Sequence, residues 1–81
     1  MLQFHDIPPQ LQDHFDQTPD VLCGRLRLRG TRVSVDQVLE LLQAGATPAE
    51  IVQSFPSLTM PDVSAVERLA AHYTLLALQP A

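Results

Sequence analysis

Three times between residues 34 and 62 a hydroxyl side chain stands three positions ahead of a residue able to bond back to it: Ser34 before Gln37, Thr47 before Glu50, and Thr59 before Asp62. Such a pair closes a capping box. The hydroxyl accepts from the amide of the third helical residue, and that residue's side chain accepts from the amide of the cap. The short intervals between these starts confine the first two helices to short lengths and tight connections. Apolar pairs flank two of the boxes as staples, Val33 with Val38 and Leu58 with Val63, and Pro48 stands at the first position of the second helix, where its missing N–H costs nothing.

The spacing therefore predicts a helix over about 35–44, with Val35, Val38, Leu39 and Leu42 on one face and Gly45 just past its end. A second helix runs over about 48–54, carries Ile51, Val52 and Phe55 on its apolar side, and stops before Pro56. A third runs from near residue 60 to near Gln79-Pro80. Val63, Val66, Ala70, Tyr73 and Ala77 form its face, widened by Leu69 and Leu76. Three helices so joined make a compact, mainly α, trihelical bundle. The helix–turn–helix layout of the second and third helices places it among homeodomain-like and winged-helix-like folds.

Ahead of the helices lies the run Gly24-Arg25-Leu26-Arg27-Leu28-Arg29-Gly30-Thr31-Arg32-Val33. Arginine alternates with leucine at the period of a strand, one face charged and the other apolar. Residues 21–33 read as a short strand or hairpin, with turns at Gly24 and Gly30, Thr31 bonding locally, and Leu26, Leu28 and Val33 facing inward. Residues 1–19 are weakly patterned. Ile7, Leu11 and Phe15 fall at helical spacing, and a turn or two of helix starts at Pro9. This part reads as an N-terminal arm, followed by a trihelical domain with its hairpin over residues 20–79. A hairpin this small needs a partner layer, either the helices or the same edge of a second chain.

Charge narrows the function. The net charge is −4, yet four of the five basic residues, Arg25, Arg27, Arg29 and Arg32, fall within eight positions. This describes a protein with one positive contact surface rather than a nonspecific nucleic-acid binder. Arg25, Arg27 and Arg29 share a strand face, where they either contact phosphates or an acidic partner or form a solvated face partly neutralised by Asp20, Asp36 or Glu40. Thr59, Ser64 and Arg68 are the polar residues the third helix offers for recognition, but Asp62 and Glu67 beside them repel phosphate. The single cysteine, Cys23, excludes an intramolecular disulfide, and His5, His14 and His72 lack metal-ligand spacing. With no Gly-rich phosphate loop and no triad, the expectation is a non-enzyme with no cofactor and no metal. The N-terminus has neither the basic start nor the apolar run of a signal peptide, and no apolar run reaches membrane length, so a cytoplasmic protein is expected.

The run Val21 to Val35 resembles the signature G-[RK]-P-V-I-R-G-T-R-I-P-V of domain-of-unknown-function family 433. The likeness continues through Val38-Leu39, Leu41-Leu42, Ala44-Gly45, Ile51, Pro56, Leu58-Thr59, Asp62-Val63 and Ala70-Ala71, over about residues 17–73. Where the signature has Pro-Val-Ile, this chain has Leu26-Arg27-Leu28, which adds an arginine to the stripe. The resemblance implies a small bacterial or archaeal helix-turn-helix-like domain of the VapB antitoxin type. It implies a PIN-like nuclease toxin as partner, with operator DNA as a further candidate. Only Gln79-Pro80-Ala81 follow the third helix, so toxin binding would fall to the hairpin, the arm or the third helix. Two other readings remain: a stand-alone DNA-binding regulator, and a structural adaptor that dimerises through the hairpin edge.

Overall fold

The computed structural model describes residues 3–78, with side chains as far as residue 72. The three helices form where their caps predict: α1 over Val35–Gln43, α2 over Pro48–Ser54 and α3 over Met60–Leu78. All three boxes are closed from both sides. The Gln37 amide donates to Ser34 Oγ at 3.2 Å, and the Ser34 amide to Gln37 Oε1 at 3.1 Å. Thr47 with Glu50 and Thr59 with Asp62 repeat the exchange. Each box contributes about 1 kcal/mol to its helix. The end of α1 is a Schellman turn. Gly45, at φ +98°, donates to Leu42 O, and the Ala46 amide reaches back to Leu41 O.

The core is a single cluster contributed by every part of the chain. Val35 and Val38 enter from α1, Ile51 from α2, and Val63, Ala65, Val66 and Leu69 from α3, all buried. Leu58 and Val33 complete the staples predicted from the sequence. Ala65 was not expected inside. The face assigned to Tyr73, Leu76 and Ala77 lies outside the described side chains, as does the end of the third helix at Gln79-Pro80.

Residues 3–19, expected as an arm, contribute side chains to this core. Ile7, Leu11 and Phe15 are buried, Phe15 completely. A 3-10 turn over Pro9–His14, with Pro9 at its first position, delivers Phe15 into strand β1 (Phe15–Asp16). This strand pairs antiparallel with β2 (Arg27–Leu28), Phe15 opposite Leu28 and Asp16 opposite Arg27. The hairpin strands thus lie at 15–16 and 27–28, so the first falls within the predicted arm. The physical reason is burial. Phe15 and Leu28 are both fully enclosed, and pairing puts them side by side on one face of the ribbon.

Between the strands the chain reverses through Leu22–Gly24, where Leu22 (φ 52°) and Cys23 (φ 55°) join Gly24 in the left-handed region. Each non-glycine residue held there costs about 1 kcal/mol. Gln17 holds the reversal together: its Nε2 donates to Gly24 O and Gln3 Oε1, and its Oε1 accepts from the Phe4 amide. On the other side of β2, the Leu28 amide donates to Val33 O, the Val35 amide donates to Leu26 O, and Arg27 bridges Ser34. Both edges of β2 are therefore occupied within the chain, so no open edge remains there for the adaptor's edge-to-edge pairing.

Candidate partner-binding surface

The turn that closes β2 positions the arginines. The Thr31 amide donates to Leu28 O at 3.1 Å, which makes Leu28–Thr31 a four-residue turn. Its third residue, Gly30, has φ +78°, the value a type II turn requires there. Thr31 is buried and locks the turn. Its Oγ1 donates to Leu28 O at 2.9 Å and accepts from the Val33 amide at 3.1 Å. Gly30 itself is exposed, and a methyl group there would meet no atom within 4 Å. Gly30→Ala is therefore expected to cost backbone strain alone, about 1–2 kcal/mol, visible as a lower urea midpoint with an unchanged slope.

The Arg–Leu alternation is realised, with Leu26 and Leu28 inward, but the arginines have different fates. Arg27 is spent inside the protein. Its side chain is only 11 % exposed; Nη2 lies 3.0 Å from Asp16 Oδ2, Nη1 donates to Thr31 O, and the buried Nε finds no partner. This corrects its assignment as a contact residue. The partner, Asp16, was not among the neutralising acids expected, because only the strand pairing brings it opposite Arg27. A two-residue strand carries no period from which that pairing could be read.

Arg29 is exposed, but Nε and Nη2 both donate to Phe15 O, at 3.3 and 3.2 Å. Its backbone amide donates to His14 O. Arg32 is exposed and makes no ion pair among the described residues. Arg25 is exposed too and lines a groove of about 350 Å³ with Asp36, Leu39, Glu40 and Gln43 of α1. The structure therefore groups Arg29 and Arg32 at one locked turn, sets Arg25 beside α1 carboxylates, and ties Arg27 to Asp16 and the Thr31 carbonyl.

On α3, Thr59 and Ser64 are exposed, with Thr59 engaged in its cap. Arg68 is exposed at a second groove, near Pro8, Gln10, Leu11, Ala71 and His72. It is not drawn together with the strand arginines. Asp62 is not a free phosphate-repelling charge. Its Oδ1 lies 3.2 Å from His14 Nδ1, the geometry of an N–H donating to a carboxylate, and its Oδ2 accepts from the Thr59 amide. Burial opposes its ionisation. The Thr59 amide, the His14 ring and the Thr59 hydroxyl outweigh that and hold its pKa below the ordinary carboxylate value. Because the folded value is depressed, this contribution to stability is complete above the unfolded pKa of about 4 and is lost as the pH falls through the folded one. Asp62→Asn is expected to flatten the acid limb of a stability–pH curve measured in urea between pH 2 and 5.

Among the described residues no three His, Cys, Asp or Glu side chains gather as a metal site, and no helix is long and apolar enough to cross a membrane. Cys23 is exposed.

Comparison with known proteins agrees with this architecture. A family described as "Protein of unknown function (DUF433)" matches residues 16–71. The crystal structure of a DUF433 member protein from Anabaena variabilis ATCC 29413 superposes with a TM-score of 0.67 at 31 % identity, covering 83 % of this chain and 66 % of that one. The present chain thus spans just under two thirds of that relative's length. No curated protein is significantly similar.

Proposed function

The chain belongs to the DUF433 family, and from that premise we propose that it is an antitoxin-like regulatory module that binds and neutralises a PIN-like nuclease through its basic turn. One observation carries the proposal. Within the basic segment, the two exposed arginines at the turn, Arg29 and Arg32, stand on a backbone locked by Gly30 and Thr31, with the Arg32 guanidinium in no ion pair among the described residues. A metal-binding nuclease site is a cluster of carboxylates, and the planar guanidinium fork is the side chain that matches a carboxylate with two parallel hydrogen bonds. A turn already held in one conformation loses little entropy on docking.

Co-expression with the product of the adjacent reading frame, assayed for nuclease activity, tests the reading. The expected result is a stable complex with reduced nuclease activity. Two proteins that purify separately would reject it. Self-association as a homodimer belongs to the same proposal, at a contact other than β2, and light scattering of the purified protein checks it.

A second reading, a stand-alone DNA-binding regulator, rests on the α2–turn–α3 layout with Ser64 and Arg68 exposed on α3. It requires binding to the upstream promoter that weakens steeply with salt, with a log–log slope that falls by about one for each phosphate-contacting arginine removed.

A further inference from the structure

We propose that the N-terminal turn over residues 3–6 and the reversal over residues 18–25 form one conformational unit, a strap latched by the Gln17 side chain, which opens as a whole while the core stays folded. It requires no bound partner.

Neither segment is anchored by burial. No residue among 3–6 or 16–25 is buried, whereas Ile7, Leu11 and Phe15 between them, and Leu26 and Leu28 beyond them, belong to the core. Phe4 rests half-buried against that core. Segments with few buried apolar contacts open at a lower free energy than the core they border. Gln17 joins the two. Its Oε1 accepts from the Phe4 amide at 3.0 Å, and its Nε2 donates to Gln3 Oε1 at 3.0 Å and to Gly24 O at 2.9 Å. Among the described residues no other side chain hydrogen-bonds to any of residues 18–25. One side chain therefore closes both segments, and breaking its bonds releases both.

The reversal is loaded toward opening. The Gly24 amide donates to Val21 O at 3.1 Å and the Arg25 amide to Leu22 O at 3.1 Å, so two turns overlap. The residues at their centres, Leu22, Cys23 and Gly24, have φ of 52°, 55° and 80°. A turn with positive φ at both central residues is ordinarily built from Asn and Gly, and the first of these is built from Leu and Cys. Such a conformation persists only where surrounding contacts enforce it. The Gln17 amide at Gly24 O is such a contact. Once it is released, Leu22 and Cys23 return to negative φ, the two turns are lost, and the Phe4 amide loses its acceptor. Strain in the reversal is thus coupled through Gln17 to the N-terminal turn.

Hydrogen exchange of single amides, followed by NMR on the full chain, tests this with Cys23→Asn and Gln17→Ala. Cys23 is exposed and Asn tolerates positive φ, so the first variant relieves strain without touching Gln17 or the core. In the wild type the Phe4, Gly24 and Arg25 amides are expected to be protected about tenfold less, or lower still, than those of Leu28 and Val35, with little response to low urea. Cys23→Asn is expected to slow exchange about fivefold at all three, Phe4 included, although Phe4 lies outside the substituted reversal. Gln17→Ala is expected to speed exchange at Gly24 and Arg25 by about the same factor and to leave Leu28 unchanged. A Phe4 amide that ignores Cys23→Asn while Gly24 slows would make the segments separate and overturn the single unit. Phe4 and Gly24 amides as protected as Leu28, or a Gly24 amide that ignores either variant, would overturn the latch itself.

Discussion

Phe15→Ala is expected to lower the free energy of unfolding by about 3–5 kcal/mol, most of what a domain of this size possesses. Phe15 is fully enclosed and faces Leu28, itself fully enclosed, across the two-stranded ribbon. Ile7 and Leu11 precede it in the same core cluster. Removing the ring leaves a cavity that β1 cannot collapse to fill, because Asp16 is tied to Arg27 and the Phe15 carbonyl to Arg29. Urea denaturation followed by circular dichroism gives the measurement. A loss below 1 kcal/mol would mean that residues 3–17 only lie over a bundle that stands without them.

The second large effect separates the arginines from one another. Arg27→Ala is expected to cost about 2 kcal/mol of stability. It strips Asp16 of its counter-ion and the Thr31 carbonyl of a donor. The cost stays below that of a fully buried pair because Asp16 remains 35 % exposed and water screens part of the loss. Arg27→Lys does not restore the wild-type value, since one ammonium cannot reproduce a fork that spans both acceptors. Arg32→Ala should do the reverse: stability within about 0.5 kcal/mol of wild type and, if the proposed nuclease partner binds at the basic turn, weaker binding to it. Urea melts and titrations on the same two variants give both readouts. Equal stability for Arg27→Ala and Arg32→Ala would remove the distinction drawn between a structural and a contacting arginine.

Much of the helical architecture was legible in the sequence because its signals are local. A capping box involves residues three apart, a staple five apart, and a Schellman glycine sits two residues beyond the last helical one. Ser34, Thr47, Thr59, Gly45, Pro48 and Pro56 therefore marked the ends of α1 and α2 and the start of α3 to within a residue. The turn at Gly30 and the local hydrogen bonding of Thr31 were readable for the same reason. The inward face of Leu26 and Leu28 followed from alternation alone.

What only the tertiary structure decided depends on residues far apart in the chain. Ile7, Leu11 and Phe15 show a weak period, and nothing in it tells whether they lie over a core or inside one. That is settled by the space the three helices and β2 leave open. Asp16 and Arg27 are eleven positions apart and Asp62 and His14 are forty-eight, beyond any local pattern. Four arginines that are equivalent in a charge count become distinct once folded. One is consumed by Asp16, one is laid on a carbonyl, one lines a groove with carboxylates, and one projects from a locked turn. Charge is a property of each residue, whereas its availability to a partner depends on which neighbours the fold brings within hydrogen-bonding reach.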